Sequence, residues 1–216
     1  MGQKVNPTAV RLGINTTWSN FWSGDDKTYR NFTELYLAID KLWKKYVDEN
    51  LSEDINVQIN MREIIIFVNT HKPNVIIGQK GSNINKIQAQ LQKGLEKLVP
   101  NFKKMKLNIN LKIKDTAPET SPQIINSQIN DALVAKKDYK RVVRTLAKLA
   151  QEKGALGMRT RVKGRINGKA IASSTQLKFG SIPLHTLSVK VKKHVRHVYT
   201  KSGRIGITTI LALASN

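Results

Sequence analysis

The 216-residue chain has no cysteine, few acidic residues and no long apolar run. The absence of cysteine excludes disulfide bonds and thiolate metal sites. No apolar stretch reaches the ~18 residues that a membrane-spanning helix requires, and no secretion or transit signal is recognisable at the N-terminus. We therefore expect no membrane partner.

Acidic residues are scarce relative to basic ones. The chain has 15 Asp and Glu against 37 Lys and Arg, which gives a formal net charge of +22. Such an excess destabilises a compact chain unless a polyanion neutralises it. The imbalance is greatest from Tyr139 to Asn216, where Glu152 is the single acid. The charge distribution predicts a nucleic-acid partner, bound mainly by the C-terminal half.

Hydrophobic periodicity divides the first half of the chain into a helix, two strands, a further helix and a third strand. The first helix is predicted over Tyr29–Glu49, and the second follows Gly81. The strands are predicted over Ile55–Met61, Ile64–Val68 and Leu107–Ile113. This order predicts one α+β layer with its sheet covered on one face.

Two prolines, Pro118 and Pro122, indicate a domain boundary. Beyond it, the pattern predicts two helices followed by short strands. The helices are Gln123–Val134 and Tyr139–Lys153, and the strands are Met158–Arg165, Ile171–Leu177, Leu187–Tyr199 and Arg204–Leu213. We predict an α+β chain with an extended basic arm at 1–16, an RNA-binding domain at 17–115, and a two-helix, mostly antiparallel-sheet domain at 116–216.

A short glycine loop, Gly78-Gln79-Lys80-Gly81, follows the apolar residues Val75–Ile77 and precedes an amphipathic helix. Two glycines allow the backbone to approach a nucleic-acid strand closely, and the N-terminus of the helix favours phosphate. This order is typical of a KH module, whose loop contacts the RNA backbone. We predict that Gly78, Gln79, Lys80 and Gly81 bind RNA. The alternative is a plain turn with an exposed lysine.

Basic residues recur on one face of the predicted helix Tyr139–Lys153. Lys140, Arg144 and Lys148 lie four residues apart, and Arg141 lies beside them. Like charges at this spacing repel one another unless phosphates neutralise them. We predict an RNA-binding face, and the alternative is a merely solvated one. The buried stripe of the same helix is predicted to comprise Tyr139, Val142, Val143, Leu146 and Leu149.

Four basic residues, Arg159, Arg161, Lys163 and Arg165, alternate along a predicted strand. All four are therefore expected to project from one side of the strand. Such a face fits the backbone of RNA, and the alternative is an edge strand whose charges prevent aggregation. Two further RNA-binding cations are predicted in the N-terminal arm, Lys4 and Arg11.

Patterns typical of catalytic sites are absent from the sequence. His194 and His197 lie three residues apart, but no acidic or cysteine ligand is near them, so we predict no metal site. The acids cluster at the predicted ends of elements, which suits helix capping better than acid–base chemistry. We expect a binding protein with no cofactor and no small-molecule substrate. A lysine-dependent lyase acting on nucleic acid is the disfavoured alternative.

Several segments carry a resemblance to a known family. They are Met1–Pro7, Arg11–Ile14, Val75–Gly81, Gly164-Arg165, Ile182–Leu187 and Gly203–Gly206. From end to end the chain resembles the bacterial-type small-subunit ribosomal proteins that carry a KH domain at the mRNA entrance, the S-three family. The resemblance implies a type II KH domain, an α+β C-terminal domain, and a structural role in the head of the small ribosomal subunit.

The partners that the resemblance implies are small-subunit rRNA, incoming mRNA, and neighbouring ribosomal proteins of the head and the mRNA entrance. Lys140, Arg141 and Arg144 match the basic cluster with which the family helps to unwind structured mRNA. The RNA expected at Lys4, at Arg11 and along the Arg159–Arg165 strand is then rRNA. The alternative is a free-standing KH-domain regulator, which would not co-sediment with ribosomes.

Frequent use of Lys, Asn and Ile is typical of proteins from AT-rich genomes. Together with the bacterial-like length, this composition favours a ribosome in the stroma of a plastid, such as a chloroplast. The bacterial cytoplasm and the mitochondrion are the alternative locations.

Overall fold

The chain divides into two compact units. One comprises Trp18–Thr116, and the other joins Met1–Thr17 to Ala117–Asn216. The structure is a computed structural model that describes residues 4–47, 55–60, 62–99, 102 and 107–214, with the backbone alone at Lys80. The unit Trp18–Thr116, termed the first unit, is inserted in the sequence between the two parts of the other, termed the second unit.

The first unit combines three helices with a three-stranded mixed sheet. The helices are α1 (Asp26–Tyr46), α2 (Pro73–Ile77) and α3 (Ser82–Leu98), and the strands are β1 (Asn56–Ile59), β2 (Glu63–Thr70) and β3 (Asn108–Asp115). The central strand, β2, is antiparallel to β1 and parallel to β3. Every second residue of β2 is buried. One face of the sheet therefore shares a core with α1 and α3.

Helices α1 and α3 approach each other closely at Gly94, where an added Cβ would lie 2.7 Å from Cδ1 of Leu42. Two predicted boundaries in this unit, Glu49 and Met61, lie outside the described residues. The short helix α2 was not predicted. Its apolar residues were interpreted only as a run that leads into the glycine loop.

The second unit places two helices on one face of a four-stranded antiparallel sheet. The helices are α4 (Pro122–Val134) and α5 (Tyr139–Glu152), and the strands are β4 (Ala155–Gly164), β5 (Ser173–Gly180), β6 (Lys190–Thr200) and β7 (Gly203–Leu213). The strand order is β5-β4-β7-β6. Helix α4 packs on β6 and β7, and α5 packs on β4. The opposite side of the sheet is termed the open face. The predicted α+β class is confirmed.

A buried polar network joins α4 to the sheet. The side-chain oxygen of Asn126 accepts a hydrogen bond from Thr209 Oγ1 at 2.6 Å, and its amide nitrogen lies 2.9 Å from Nδ1 of His194. Because the amide nitrogen is a donor, Nδ1 accepts, and the neutral imidazole carries its proton on Nε2. Residues three apart on a strand point to opposite faces, so His194 and His197 do not converge. His194 thus helps to seat α4.

No helix in the described part of the chain is long and apolar enough to cross a membrane.

Residues near the N-terminus fold against the second unit through Arg11, which is fully buried. Ala9–Arg11 form a single 3-10 turn. The Arg11 guanidinium donates five hydrogen bonds to backbone carbonyls, which belong to Pro7, Pro183, Leu184, Thr186 and Val189 at 2.7–3.2 Å. Asn15 adds hydrogen bonds from its amide to the carbonyls of Leu187 and Ser188.

These contacts correct two predictions. The arm predicted at 1–16 is not extended over its described part, because a 3-10 turn and the Arg11 contacts fold it back. Arg11 was predicted to bind rRNA, but its five donor contacts are to the protein's own carbonyls and its side chain has no solvent exposure. Its role is to attach the N-terminal segment to the loop that precedes β6.

We predict that Arg11→Met destabilises the second unit by about 3 kcal/mol or more, because all five guanidinium hydrogen bonds are lost and each buried carbonyl left without a donor costs about 1–3 kcal/mol. Arg11→Lys restores only part of this loss, since an ammonium lacks the planar fork of a guanidinium. Urea unfolding measures the change, and hydrogen exchange with mass spectrometry locates it in β6 and β7.

The matched control is Arg161→Met, which removes an exposed cation of the same type from the same unit. Surface changes of this kind lie within about 0.5 kcal/mol of wild type. Equal unfolding midpoints for Arg11→Met and Arg161→Met would contradict the role assigned to Arg11.

Candidate nucleic-acid interface

The central strand β4 separates apolar from basic side chains. Met158 and Val162 are buried beneath the helices. Arg159, Arg161 and Lys163 alternate with these buried residues and point to the open face, where Arg159 is half-buried and the other two are exposed. The alternation that the sequence predicted for these three residues is therefore confirmed. It places three cations on one side of the sheet.

The register of the sheet extends this basic strip across neighbouring strands. Lys178 on β5 lies directly opposite Arg159. On the other side of β4, Arg159 pairs with Ile210 of β7, which in turn pairs with Lys193 of β6. Like charges directly opposite one another in a sheet are destabilising. This row of cations is therefore stabilised when an anion binds.

A surface pocket of about 270 Å³ lies over this row. Its lining includes the cations Lys4, Arg159, Arg161 and Lys193 together with Gln176, and none of its lining residues is acidic. Partial burial lowers the pKa of Lys4, and the positive charges of Arg159, Lys193 and Arg161 lower it further. A bound phosphate would raise this pKa again, because an opposite charge favours the protonated amine.

The prediction of a four-residue basic strip is wrong for Arg165. Strand β4 ends at Gly164, which has a φ of 140°, so the alternation does not continue. The Arg165 guanidinium instead donates to the carbonyls of Lys169 at 2.7 Å and Ser202 at 3.3 Å. Arg165 is exposed but belongs to a separate part of the unit, near the turn between β6 and β7.

A second basic surface lies on α5. Lys140, Arg141, Arg144 and Lys148 are all exposed. The helix begins at Tyr139, where Asp138 caps it by accepting a hydrogen bond from the backbone nitrogen of Lys140 at 3.0 Å. Within the described part of the chain, none of the four cations forms an ion pair. The helix therefore presents four uncompensated positive charges to solvent.

One residue of the predicted buried stripe on α5 lies elsewhere. Leu149 is 37% exposed, whereas Ala147 and Ala150 are buried. The small side chains allow the helix to lie close to the sheet, so the buried face is centred on Val143 and Ala147. Leu149 consequently places an apolar side chain at the edge of the basic surface.

The glycine loop joins α2 to α3. Gly78 ends α2 with φ 71° and ψ 179°, and Gly81 precedes α3 in the left-handed conformation. A Cβ at Gly78 would lie 2.7 Å from Cγ of Asn83. Asn83 is held there by a hydrogen bond from its amide to the carbonyl of Val75 at 3.1 Å. Both glycines are thus required by the backbone, since φ is positive at each.

The surroundings of the loop combine polar and apolar exposure. Gln79 is exposed, and the side chain of Lys80 lies outside the described part of the structure. Val75 and Ile77 are 50% and 36% exposed, whereas Ile76 is buried. These two exposed apolar residues were not predicted as part of the site. From the sequence, Val75–Ile77 was interpreted as one apolar run. A helix prediction for this segment would have distinguished the buried Ile76 from the exposed Val75 and Ile77, because successive residues of a helix point in different directions.

Two family models match successive parts of the chain. A KH domain model matches residues 39–117, and a model of the ribosomal protein S3 C-terminal domain matches residues 129–211. Small ribosomal subunit protein uS3 of Treponema denticola is 31% identical over 96% of this chain and 84% of its own length. The chain belongs to the uS3 family.

Other uS3 proteins are similarly related. That of Azobacteroides pseudotrichonymphae is 33% identical over 96% of this chain and 80% of its own length, and that of Streptococcus suis strain 05ZYH33 is 30% identical over 96% and 91%. Membership of the uS3 family confirms the predicted resemblance and the order of a KH domain followed by an α+β domain. It also confirms the prediction of a structural RNA-binding protein rather than an enzyme.

We predict that changing Arg159 and Arg161 to Gln weakens RNA binding by this uS3-family chain and makes it less salt-dependent. The slope of log K against log salt should decrease in magnitude by roughly 1.5, since each lost phosphate contact removes about 0.7–0.9. Fluorescence anisotropy with labelled RNA at several salt concentrations measures both quantities.

The control variant changes Lys27 and Lys41 to Gln, which removes the same charge from exposed positions on α1. A loss of slope as large in this control as in the Arg159 and Arg161 variant would mean that only net charge matters, and would contradict a localised site.

Proposed function

We propose that this protein is a structural constituent of the head of the small ribosomal subunit, where it binds small-subunit rRNA and receives incoming mRNA. Its membership of the uS3 family supports the ribosomal role. The observation that carries the proposal is the acid-free cluster of Lys4, Arg159, Arg161 and Lys193 on the open face. Neighbouring ribosomal proteins of the head and the mRNA entrance are the proposed protein partners.

Binding to rRNA at the open face follows from counterion release. Each lysine or arginine that meets a phosphate displaces a condensed cation, which supplies affinity without reading the base sequence. Lys4, Arg159, Arg161 and Lys163 are proposed as the contacts. Arg159 is the half-buried member of this set, and its planar guanidinium suits bidentate contact with a phosphate of folded rRNA.

The exposed face of α5 is proposed as the mRNA contact. Lys140, Arg141, Arg144 and Lys148 would grip the phosphates of a single strand. A strand held in this way cannot re-pair readily, so structured mRNA is kept open without a hydrolytic step. Translocation of the ribosome supplies the force, and the protein needs no nucleotide cofactor.

The glycine loop is proposed as a further RNA contact. Gly78 and Gly81 carry no side chain, so a backbone phosphate can approach the N-terminus of α3, whose first turn contains no acid. Gln79 and Lys80 lie between them. The exposed Val75 and Ile77 would offer apolar contact to an unstacked base, in the manner of single-strand recognition.

A plastid is the proposed compartment. The support for this location is the frequent use of Lys, Asn and Ile, which is typical of AT-rich genomes, together with the bacterial-like length. The curated relatives described above are bacterial, which fits a ribosome of bacterial type in either a plastid or a bacterium.

We predict that the protein co-sediments with the small subunit on a sucrose gradient and stays there through high-salt washes, because many phosphate contacts act together. Fractionation of isolated organelles before the gradient identifies the compartment. Release into light fractions at modest salt would instead indicate a free-standing KH-domain regulator.

We predict that Lys140→Ala, Arg141→Ala and Arg144→Ala together leave subunit assembly intact but slow translation through mRNA hairpins. Three lost phosphate contacts weaken the grip on the opened strand, whereas messages without hairpins need no such grip. Translation rates of matched reporters with and without a hairpin measure the effect.

The control variant changes Lys27, Arg30 and Lys41 on α1 to Ala, three exposed cations on a helix of the other unit. Unchanged rates on the hairpin reporter in the α5 variant would count against the proposed mRNA contact, as would an equal slowing on both reporters.

A further inference from the structure

Gly206 lies in the interior of β7, a strand that pairs with β4 on one side and with β6 on the other. Glycine weakens the interior of a strand, because its unfolded backbone is freer than that of other residues and it has no side chain to pack. Two features of a fold commonly require a glycine despite this cost. One is a backbone with positive φ, and the other is a neighbour so close that a Cβ would clash with it.

Neither requirement applies to Gly206. Its φ does not lie in the left-handed region. An added Cβ would have one heavy atom within 4 Å, Nδ1 of His197 at the ordinary contact distance of 3.9 Å. Among the glycines that the structure describes, each of the others has a positive φ or a neighbouring atom 3.0 Å or less from an added Cβ. The fold of the free protein therefore does not explain a glycine at position 206.

The missing side chain leaves a gap on the open face of the sheet. Ile205 and Ile207 are buried beneath the helices, so Gly206 between them faces the opposite way. The register places Gly206 directly between Lys163 of β4 and His197 of β6, and both of these residues are exposed. Their side chains start two strand spacings apart, about 9.5 Å, with no side chain between them.

This gap continues the acid-free surface that surrounds it. Thr208, the next residue of β7 on the same face, lines the pocket that contains Arg159 and Arg161. Arg204, the preceding residue of β7 on this face, is exposed. None of the four strands of the sheet contains Asp or Glu. Anything that enters the gap therefore meets positive charge along β7 in both directions, which favours a polyanion.

We propose that Gly206 is the point at which an RNA strand lies directly on the sheet of the second unit. The sugar–phosphate backbone enters the gap and contacts the backbone of β7, while Lys163 and His197 donate hydrogen bonds to its phosphates from either side. Glycine within a strand often occurs where another backbone or a ligand approaches closely. The stability that glycine costs the free protein is offset by this contact in the complex. The inference rests on the proposed binding of rRNA at the open face and adds the place of closest approach.

The test measures stability and RNA binding separately on the full-length chain. Gly206→Ala and Gly206→Val should leave the urea unfolding midpoint unchanged or raise it, because a strand favours a side chain and the gap admits one. Both variants should bind a fluorescently labelled transcript of the head domain of small-subunit rRNA more weakly, as measured by anisotropy. Loss of one phosphate contact removes about 0.7–0.9 from the salt slope, which corresponds to roughly five- to eightfold in affinity at about 0.1 M salt. The loss should be larger for Val than for Ala.

The matched control is Ser174→Val, which adds apolar bulk at an exposed position of the same row, on the far side of Lys163 from the gap. An equal loss of affinity in this control would overturn the inference, because bulk anywhere on the open face would then suffice. Wild-type affinity in Gly206→Val would also overturn it, while salt-dependent binding by that variant would still uphold the proposed function. A lower urea midpoint in both Gly206 variants would overturn it too, since the fold would then require the glycine. No salt-dependent binding by wild type would reject both proposals.

Discussion

The second unit depends on one buried cation, the guanidinium of Arg11. A charge in the interior is tolerated only when hydrogen bonds replace its hydration. Here five carbonyl contacts do so, four of them from a single loop before β6. The same loop packs Ile182, Leu184 and Val189 against one end of the open face. Arg11 thereby fixes the N-terminal segment, covers part of the sheet, and brings Lys4 to the remaining basic area. This contact also gives a physical reason why Arg11–Ile14 and Ile182–Leu187 were both recognisable as family segments, since one supplies the donor and the other the acceptors.

The sheet of this unit separates two incompatible requirements. Its helix-covered face must exclude charge, and its open face must carry charge for RNA. Strand β4 meets both because successive residues point in opposite directions. The result is a surface on which cations such as Arg159 and Lys178 lie side by side without acids between them. Electrostatic repulsion in the free protein is relieved when RNA binds, so stability and binding are coupled.

Much of this organisation could be predicted from the sequence because its signals are local. Helical and alternating periodicities located α5 and β4, and positive φ values explain why Gly78 and Gly81 occur where they do. Three features depended on distant parts of the chain instead. The burial of Arg11 requires carbonyls more than 170 residues away, Lys193 joins the basic cluster only through the register of β6 and β7, and Leu149 is exposed because alanines occupy the contact with the sheet. Local patterns carry no information about such pairings.

The long separation between Arg11 and its acceptors has a consequence for synthesis on the ribosome. Arg11 and Val189 are 178 residues apart. At about 5–20 residues per second, the acceptors are made roughly 10 to 35 seconds after the donor. During that interval Trp18–Thr116 is complete and free to fold, whereas the N-terminal segment has nothing to attach to. A nascent chain that stops early therefore leaves this segment loose and the Lys4 cluster unformed. Strand β6 joins the sheet only through β7, so only a chain translated through β7 acquires the basic surface. Competence for RNA at this face therefore reports that translation has passed the last strand.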